Sequence, residues 1–249
     1  MMRLLLTILL GLAVGWPAAA AEIRVLTAGA YKGVATRLAA DFEARTGHKV
    51  VIENDTAGGV ARRIEAGEAF DVAVMPPARM APLLGNRLMS SSAKPLARSG
   101  IGVAVKQGTP APDLSSVDSW KQALLAAPGI AYVDPASGGT SGVYLAGLFE
   151  RLGIADQLKG KTVLVKGGLV AEKLVSGEAT LAMQQISELM AVAGVIVVGP
   201  LPLEAQSYTI YAGAISAAAS DRAAAEALML AFSDPSTAPV LQKFGLESP

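Results

Sequence analysis

Four short segments rich in glycine, alanine, serine and threonine are the parts of this sequence best suited to bind a ligand. Each follows an apolar run typical of a β-strand and precedes a helical pattern; they lie at 27–33, 54–59, 134–142 and 166–168. Small residues let a ligand approach the backbone closely, and the first N–H groups of a helix have no partner within the helix. Since the helix dipole adds partial positive charge at that end, the four segments predict a binding site for a small anion.

Hydroxyl groups are concentrated in the third segment, where Ser137, Thr140 and Ser141 lie among glycines. An ordinary strand-to-helix turn does not need six small residues, so this segment is the most specific of the four. For any single segment the alternative stays open that the glycines serve only the geometry of the turn. Asp55 and Asp134 in the same segments would repel an anion, so we expect them to cap helices or point away.

Motifs for catalysis or for metal binding are weak in this sequence. Cysteine is absent, which excludes disulfides, thiol catalysis and Cys-ligated metals, and one histidine, His48, cannot build a His-rich metal site. The run 160–162 lacks the leading glycine of a phosphate-binding P-loop, and 139–142 does not match the Gly-x-Ser-x-Gly pattern of a hydrolase. We therefore expect no catalytic residue, no metal and no cofactor.

Composition and the N-terminus narrow the class of protein. The 249 residues contain 21 Lys+Arg and 21 Asp+Glu, a balance that argues against nucleic-acid binding, and 52% hydrophobic residues exclude a disordered chain. Arg3, the uncharged run 4–16 and the small residues 17–21 predict a signal peptide over 1–21, with a retained anchor as the alternative. No later apolar run reaches the roughly 20 residues of a membrane span, so we expect an exported mature chain that does not span a membrane.

Apolar runs alternate with helical periodicity along the rest of the chain, which predicts an α/β protein. Strands are predicted at 23–26, 49–52, 71–75, 101–106, 130–133, 162–165, 181–183, 195–198 and 208–215. Helices are predicted at 31–45, 60–66, 118–127, about 145–152, 170–175, 221–232 and 235–243. The blocks 23–75 and 130–198 each indicate a parallel sheet covered by helices on both faces. Two such lobes, connected by the strands at 101–106 and 208–215, would leave a cleft for the ligand.

The chain resembles the periplasmic solute-binding proteins of ABC importers, above all the molybdate-binding family. The runs that carry the resemblance are spread over most of the mature chain: 24–30, Phe42, 46–47, 61–68 before Asp71, 134–135, 151–153 and 234–246. The resemblance implies a two-lobed type II periplasmic binding fold with mixed, mostly parallel sheets. Lobe 1 would comprise 22–103 plus 213–249, and lobe 2 would comprise 104–212.

The resemblance also implies a function and a set of site residues. The chain would be a monomeric, periplasmic, non-catalytic receptor that delivers a molybdate- or tungstate-like oxyanion to a membrane permease. Carried over by position, the ligand-binding residues are Ala30, Ala57 or Gly58, Ser137, Thr140, Ser141, Gly168, and Gln184 or Gln185. Tyr31 is added as a residue that could help to bind a carboxylate. Alanine or glycine stands where the family has two serines, and glutamine where it has a tyrosine. Backbone donors and two glutamines would also suit a small carboxylate, so an organic di- or tricarboxylate is the alternative ligand.

Two further classes of function stay open on the same fold. An exported enzyme would use a buried carboxylate or Ser141 as its reactive group, although no base lies beside a candidate nucleophile in the sequence. A sensor domain would pass ligand binding to a membrane partner, although the sequence shows no tether.

Overall fold

The computed structural model describes residues 20–249, so residues 1–19 of the predicted signal peptide lie outside the described part of the chain. The strands are β1 (Glu22–Ala28), β2 (Lys49–Asp55), β3 (Val72–Met75), β4 (Lys94–Lys106), β5 (Ile130–Val133), β6 (Thr162–Val165), β7 (Leu181–Gln185), β8 (Val195–Pro200) and β9 (Tyr208–Ile215). The helices are α1 (Lys32–Thr46), α2 (Ala57–Glu65), α3 (Pro77–Met80), α4 (Val117–Ala126), α5 (Thr140–Arg151), α6 (Ala155–Lys159), α7 (Glu172–Val175), α8 (Ile186–Leu189), α9 (Arg222–Ser233) and α10 (Ala238–Lys243). The predicted alternation of strand and helix is confirmed.

Two parallel units and two crossing strands build the sheet. In the first unit β1 pairs in parallel with β2 and β3, and in the second β5 pairs in parallel with β6 and β7. The long strands β4 and β9 pair antiparallel with each other, and β4 continues into the second unit to pair with β7 and β8. The predicted two-lobed type II periplasmic binding fold is confirmed, with antiparallel pairing where the units are joined.

The hydrophobic core is divided between the two units. Buried residues from 23–97 and 211–246 pack around β1, β3 and β9, whereas those from 101–205 pack around β5 and β7. Tyr31 and Phe232 meet edge to face in the first core, with ring centroids 5.9 Å apart. Trp120 and Phe149 lie together in the second. The lobe boundaries proposed from the sequence stay a prediction.

Side-chain caps set the start of several helices. Thr56 accepts a hydrogen bond from the N–H of Gly59 at 3.0 Å and so caps α2. Asp221 caps α9 in the same way through the N–H of Ala224. A cap of this kind stabilises a helix by about 1 kcal/mol. The Thr56 cap fixes the turn between β2 and α2, which lies next to the cleft.

Three short helices were not predicted from the sequence. These are α3, α6 and α8, of four, five and four residues. Elements of one turn show no helical periodicity, since a full apolar face needs at least two turns. The strand β4 also begins seven residues earlier than predicted, because Lys94–Gly100 pairs with β9 over a region of mixed polarity.

Candidate functional site

A small, partly open cavity lies where the two units face each other. Its free volume is about 30 Å³, and its lining comes from the ends of β1, β2, β5 and β7, the starts of α2 and α5, the loop after β6, and from α8 and β9. The lining residues are Ala28, Gly29, Ala30, Asn54, Asp55, Thr56, Ala57, Val133, Gly139, Thr140, Ser141, Gly167, Gly168, Gln184, Gln185, Glu188 and Tyr211. The glycine-rich segments predicted to converge do meet at this cavity.

Direct hydrogen bonds hold the units together along one edge of the cavity. The N–H of Gly58 donates to the carbonyl of Gly138 at 3.2 Å. The carbonyl of Ser137 accepts from the Thr56 hydroxyl at 2.7 Å and from the Arg62 guanidinium at 3.2 Å. A Cβ atom at Gly58 would lie 2.9 Å from the Cα of Gly138, so only two glycines allow this approach. We call this contact the latch. It bridges the two units, so the cleft between them is closed along this edge.

The N-terminus of α5 supplies the strongest anion-binding feature. Among the described residues the N–H groups of Thr140, Ser141 and Gly142 bond no carbonyl, as expected for the first turn of a helix. The Ser141 side chain is 1% exposed, and its hydroxyl has no hydrogen-bond partner. Leaving a buried polar group unpaired costs about 1–3 kcal/mol. Thr140 and Ser141 line the cavity, so a ligand there would satisfy their N–H groups and the Ser141 hydroxyl together.

Close packing brings the start of α5 to the end of β5. A methyl group at Gly142 would overlap the carbonyl oxygen of Val133, so glycine is required for this approach. The side chain of Asp134 accepts the N–H of Ala136 at 2.9 Å and caps the turn before α5, as predicted. The N-terminus of α5 therefore lines the cavity, and the side chain of Asp134 does not.

Two buried glutamines position the opposite wall. The Gln184 amide bridges the loop after β6, accepting the N–H of Val170 at 2.8 Å and donating to the carbonyl of Gly168 at 3.0 Å. Gln185 donates to the hydroxyl of Thr140 at 3.1 Å. The same hydroxyl also interacts with the Tyr211 side chain, so it joins Gln185 to the phenol at the cavity. Gln184 thus orients the backbone of a lining loop, and Gln185 orients a donor.

Glu188 is the ionisable side chain that defines the chemistry of the cavity. It projects from α8 to the cavity wall, with its carboxylate packed over Gly29, where a methyl group would overlap Oε1. Burial raises the pKa of Glu188 to about 8. Burial, with the nearby Glu188, also raises the pKa of Tyr211 above its ordinary value. At neutral pH Glu188 is therefore mostly a neutral acid that can donate a hydrogen bond.

The second acid of the cavity, Asp55, is turned towards the backbone. Its carboxylate accepts the N–H of Thr56 at 2.6 Å and lies against Gly59, where a methyl group would overlap it. The predicted capping role belongs to the neighbouring Thr56, and Asp55 lines the cavity with its carboxylate bonded to the backbone. The described lining contains no lysine or arginine, so neutral donors would bind an anion here.

Seven of the ten residues predicted to bind the ligand line the cavity. They are Ala30, Ala57, Thr140, Ser141, Gly168, Gln184 and Gln185. Gly58 and Ser137 belong to the latch instead, through their backbone atoms, and the Ser137 hydroxyl donates to the carbonyl of Asp134. Tyr31 is 0% exposed, and its ring points into the core of the first unit. Whether any of the ten contacts a ligand stays a prediction.

Asn54, Glu188 and Tyr211 line the cavity without having been predicted. Asn54 is in a predicted segment, but a lone amide carries no motif. Glu188 lies three residues after the end of β7, which is a buried strand. An acid shortly after a buried strand is a sequence signal that could have indicated a site residue. Tyr211 comes from the crossing strand β9, whose position depends on pairing with β3 and β4. No local pattern indicates that long-range pairing.

Residues 20–249 contain neither a metal-binding cluster nor a membrane-spanning helix. No cluster of three or more His, Cys, Asp or Glu side chains is suited to hold a metal ion. Within the same residues, no helix has the length and apolar character needed to cross a bilayer.

Comparison with known proteins adds a family and one relative of similar length. The family described as bacterial extracellular solute-binding protein matches residues 23–247. An aconitate isomerase from a Pseudomonas species is 33% identical over 232 residues, which is 90% of this chain and 87% of that protein.

Solved structures with the same fold are more distant in sequence. The periplasmic molybdate-binding protein of Azotobacter vinelandii superimposes with a TM-score of 0.74 at 21% identity, covering 91% of this chain and 99% of that one. The sulfate-binding protein SubI of Mycobacterium tuberculosis superimposes with a TM-score of 0.69 at 14% identity, covering 92% and 87%. At these identities the likeness establishes the fold only.

Proposed function

Because this chain belongs to the bacterial extracellular solute-binding protein family, we propose that it binds a small organic polycarboxylate in the cavity between its two units. One carboxylate of the ligand occupies the cavity. The observation that carries this proposal is the Ser141 hydroxyl, buried without a partner beside three free N–H groups at the start of α5. A carboxylate accepts several hydrogen bonds at once and would satisfy them.

A neutral Glu188 favours a carboxylate ligand. With a pKa of about 8 this side chain keeps its proton at neutral pH and donates a hydrogen bond to a ligand oxygen, and the anion does not face a second negative charge there. Acid-to-carboxylate hydrogen bonds are among the stronger ones in proteins. The relative with 33% identity, named aconitate isomerase, supports a polycarboxylate over an inorganic oxyanion.

Calorimetric titration tests the binding proposal. Tricarballylate, a saturated tricarboxylate, should bind to the wild type, and Ser141→Ala should weaken binding about 10- to 100-fold, since a hydrogen bond to a charged group is worth about 1.5–3 kcal/mol. Ser233→Ala is the matched control, because that hydroxyl lies at the end of α9, away from the cavity. Equal affinity of Ser141→Ala and the wild type would refute the role of this site.

A second candidate function is isomerisation of such a ligand. Glu188 favours it, since it is an ionisable side chain at the cavity with a pKa near a neutral working pH, as a general acid–base group requires. The name of the 33% identical relative supports it as well. This candidate shares its ligand and its site with the receptor function.

The chemistry needs one proton carrier and no cofactor. In cis- or trans-aconitate a CH₂ group lies next to a C=C bond that is conjugated with a carboxylate. Ionised Glu188 would remove a proton from the CH₂ carbon, and the electron pair would form a new C=C bond as the old one opens towards the conjugated carboxylate. Glu188 would then return the proton to the far carbon of the original double bond. One C–H bond breaks and one forms, and the double bond can form with either geometry.

Proton NMR distinguishes the receptor from the isomerase. Incubation of trans-aconitate with the isomerase would produce the vinyl signal of cis-aconitate, and Glu188→Gln would reduce the rate at least 100-fold. In D₂O the returned proton would be deuterium, and the label would appear on the methylene carbon of the product, which was the vinyl carbon of the substrate. If aconitate binds without any conversion, the receptor function stands and the isomerase candidate is refuted.

The family supports a proposal for the location and the partner of this chain. We propose that residues 1–21 direct export to the periplasm and are removed there. In the receptor function the closed protein delivers its ligand to the permease of an ABC importer. Mass spectrometry of the mature protein checks the first statement, with an N-terminus at Ala21 or Glu22 as the expected result.

A further inference from the structure

A larger groove adjoins the cavity at Glu188. Its volume is about 740 Å³, and its lining comes from α1 of the first unit and α8 of the second, together with Lys243 and Phe244. The cavity and the groove share five lining residues, namely Gly29, Ala30, Asn54, Gly168 and Glu188. These residues form the common boundary of the two spaces.

The groove offers far more room than the cavity for a polycarboxylate. The space open to the centre of a water-sized molecule is about 30 Å³ in the cavity and about 740 Å³ in the groove. A tricarboxylate with one branch in the cavity therefore has room for its other branches in the adjoining groove.

Positive charge in the groove matches the remaining carboxylates. Three cationic side chains line it, Lys32, Arg37 and Lys243, against one acid, Glu188. Arg37 is paired with Asp41 at 3.1 Å. Among residues 20–249 neither Lys32 nor Lys243 forms an ion pair.

Of the three cationic residues in the groove, Lys32 lies nearest in sequence to a residue that lines the cavity. It is the first residue of α1, two residues after the lining residue Ala30, and the first turn of that helix contains no acid. A lysine at a helix N-terminus opposes the helix dipole. Its charge is therefore unfavourable for the helix itself and favourable for an anion bound in front of it.

We propose that the groove is a second subsite of the ligand, in which Lys32 binds a distal carboxylate while Ser141 and the α5 N-terminus bind another in the cavity. This inference rests on the proposed function. The ligand then spans Glu188, with its carbon chain beside that carboxyl group. Lys32 makes the site selective for molecules that carry at least two carboxylates, and against single carboxylates and tetrahedral oxyanions.

Calorimetric titration with tricarballylate tests this subsite. Lys32→Gln should weaken binding about tenfold, and Lys32→Arg should restore most of the affinity because it keeps the charge. The control Lys49→Gln removes an exposed lysine on β2 outside the groove and should leave the affinity unchanged. A second variant, Thr36→Trp, places a large ring in the groove and should weaken binding without changing any charge.

The outcomes separate this inference from the proposed function. Tricarballylate binding that is equal in the wild type, Lys32→Gln and Thr36→Trp would overturn the second subsite and leave the cavity site standing. No binding to the wild type, with folded protein by circular dichroism, would overturn both. Weaker binding in Lys32→Gln and Thr36→Trp alone, with unchanged melting temperatures of the free proteins, would support the subsite.

Discussion

Replacing Glu188 with glutamine should change the pH dependence of stability in a direction set by the structure. Burial raises the pKa of this carboxyl from 4.5 to about 8. The folded chain therefore holds a proton that the unfolded chain loses between these two pH values. Stability from this group is complete below about pH 4.5 and is lost as the pH rises through about 8.

The magnitude follows from the pH span. Linkage gives about 1.4 kcal/mol of unfolding free energy per pH unit for one proton. Over the span from 4.5 to about 8, this amounts to at most about 5 kcal/mol. Starting from pH 5 the span is shorter and gives at most about 4 kcal/mol; because Glu188 is partly exposed to the cleft, we expect about 2–4 kcal/mol between pH 5 and pH 9.

Urea unfolding at pH 5, 7 and 9 measures the effect. Wild type and Glu188→Gln should have similar stability at pH 5, and the glutamine variant should be more stable by about 2–4 kcal/mol at pH 9. In a chain of this size each kcal/mol moves the melting temperature by about 2–4 °C. The free energies of the two proteins should therefore diverge as the pH rises.

A second glutamate provides a control of opposite sign. Glu178 forms an ion pair with Lys173 at 2.9 Å, and the hydrogen bond from that lysine lowers the pKa of Glu178. Its contribution to stability is lost only as the pH falls below the ordinary range of a carboxyl group. Glu178→Gln should therefore run parallel to the wild type between pH 5 and pH 9. Parallel behaviour of Glu188→Gln as well would refute the neutral, buried state of Glu188.

Three further variants test other parts of the molecule. Ser141→Ala should leave the unliganded protein as stable as the wild type, or stabilise it by up to about 1 kcal/mol in thermal unfolding, because it removes an unpaired buried hydroxyl; a clear loss of stability would contradict this. Gly138→Ala should hold the cleft open, since φ is +79° and a Cβ would lie 2.9 Å from the Cα of Gly58, and small-angle scattering should give a larger radius of gyration. Asp71→Asn should cost about 2–4 kcal/mol in urea unfolding, because the buried carboxylate accepts hydrogen bonds from the backbone N–H of Arg24 and from both the N–H and the hydroxyl of Ser220; an unchanged midpoint would show that these bonds are dispensable.

Local patterns were sufficient for most of the fold and for part of the site. Strands such as β1 and helices such as α1 have continuous apolar runs or clear periodicity, and their carboxyl-end loops meet because parallel strands point the same way. The sequence therefore placed Thr140 and Ser141 at the cavity. It could not tell which side of a loop faces the cleft, and so Ser137 and Gly58 turned out to be latch residues.

The remaining site residues depend on long-range geometry. Glu188 lies on a helix of four residues, too short to show periodicity, and its pKa depends on two units closing over it. Tyr211 reaches the cavity because β9 crosses between the units by antiparallel pairing. Burial and charge at the cleft arise only in the assembled fold, and no single segment of sequence carries them.

The identity of the ligand is the most direct test of the account. Thermal unfolding should be followed with tricarballylate, trans-aconitate and citrate on one side, and with molybdate, tungstate and sulfate on the other. A ligand at about 100 times its dissociation constant stabilises the folded protein by about 2.7 kcal/mol. We predict that polycarboxylates raise the melting temperature and that the inorganic oxyanions do not; a rise with molybdate or tungstate alone would contradict the account.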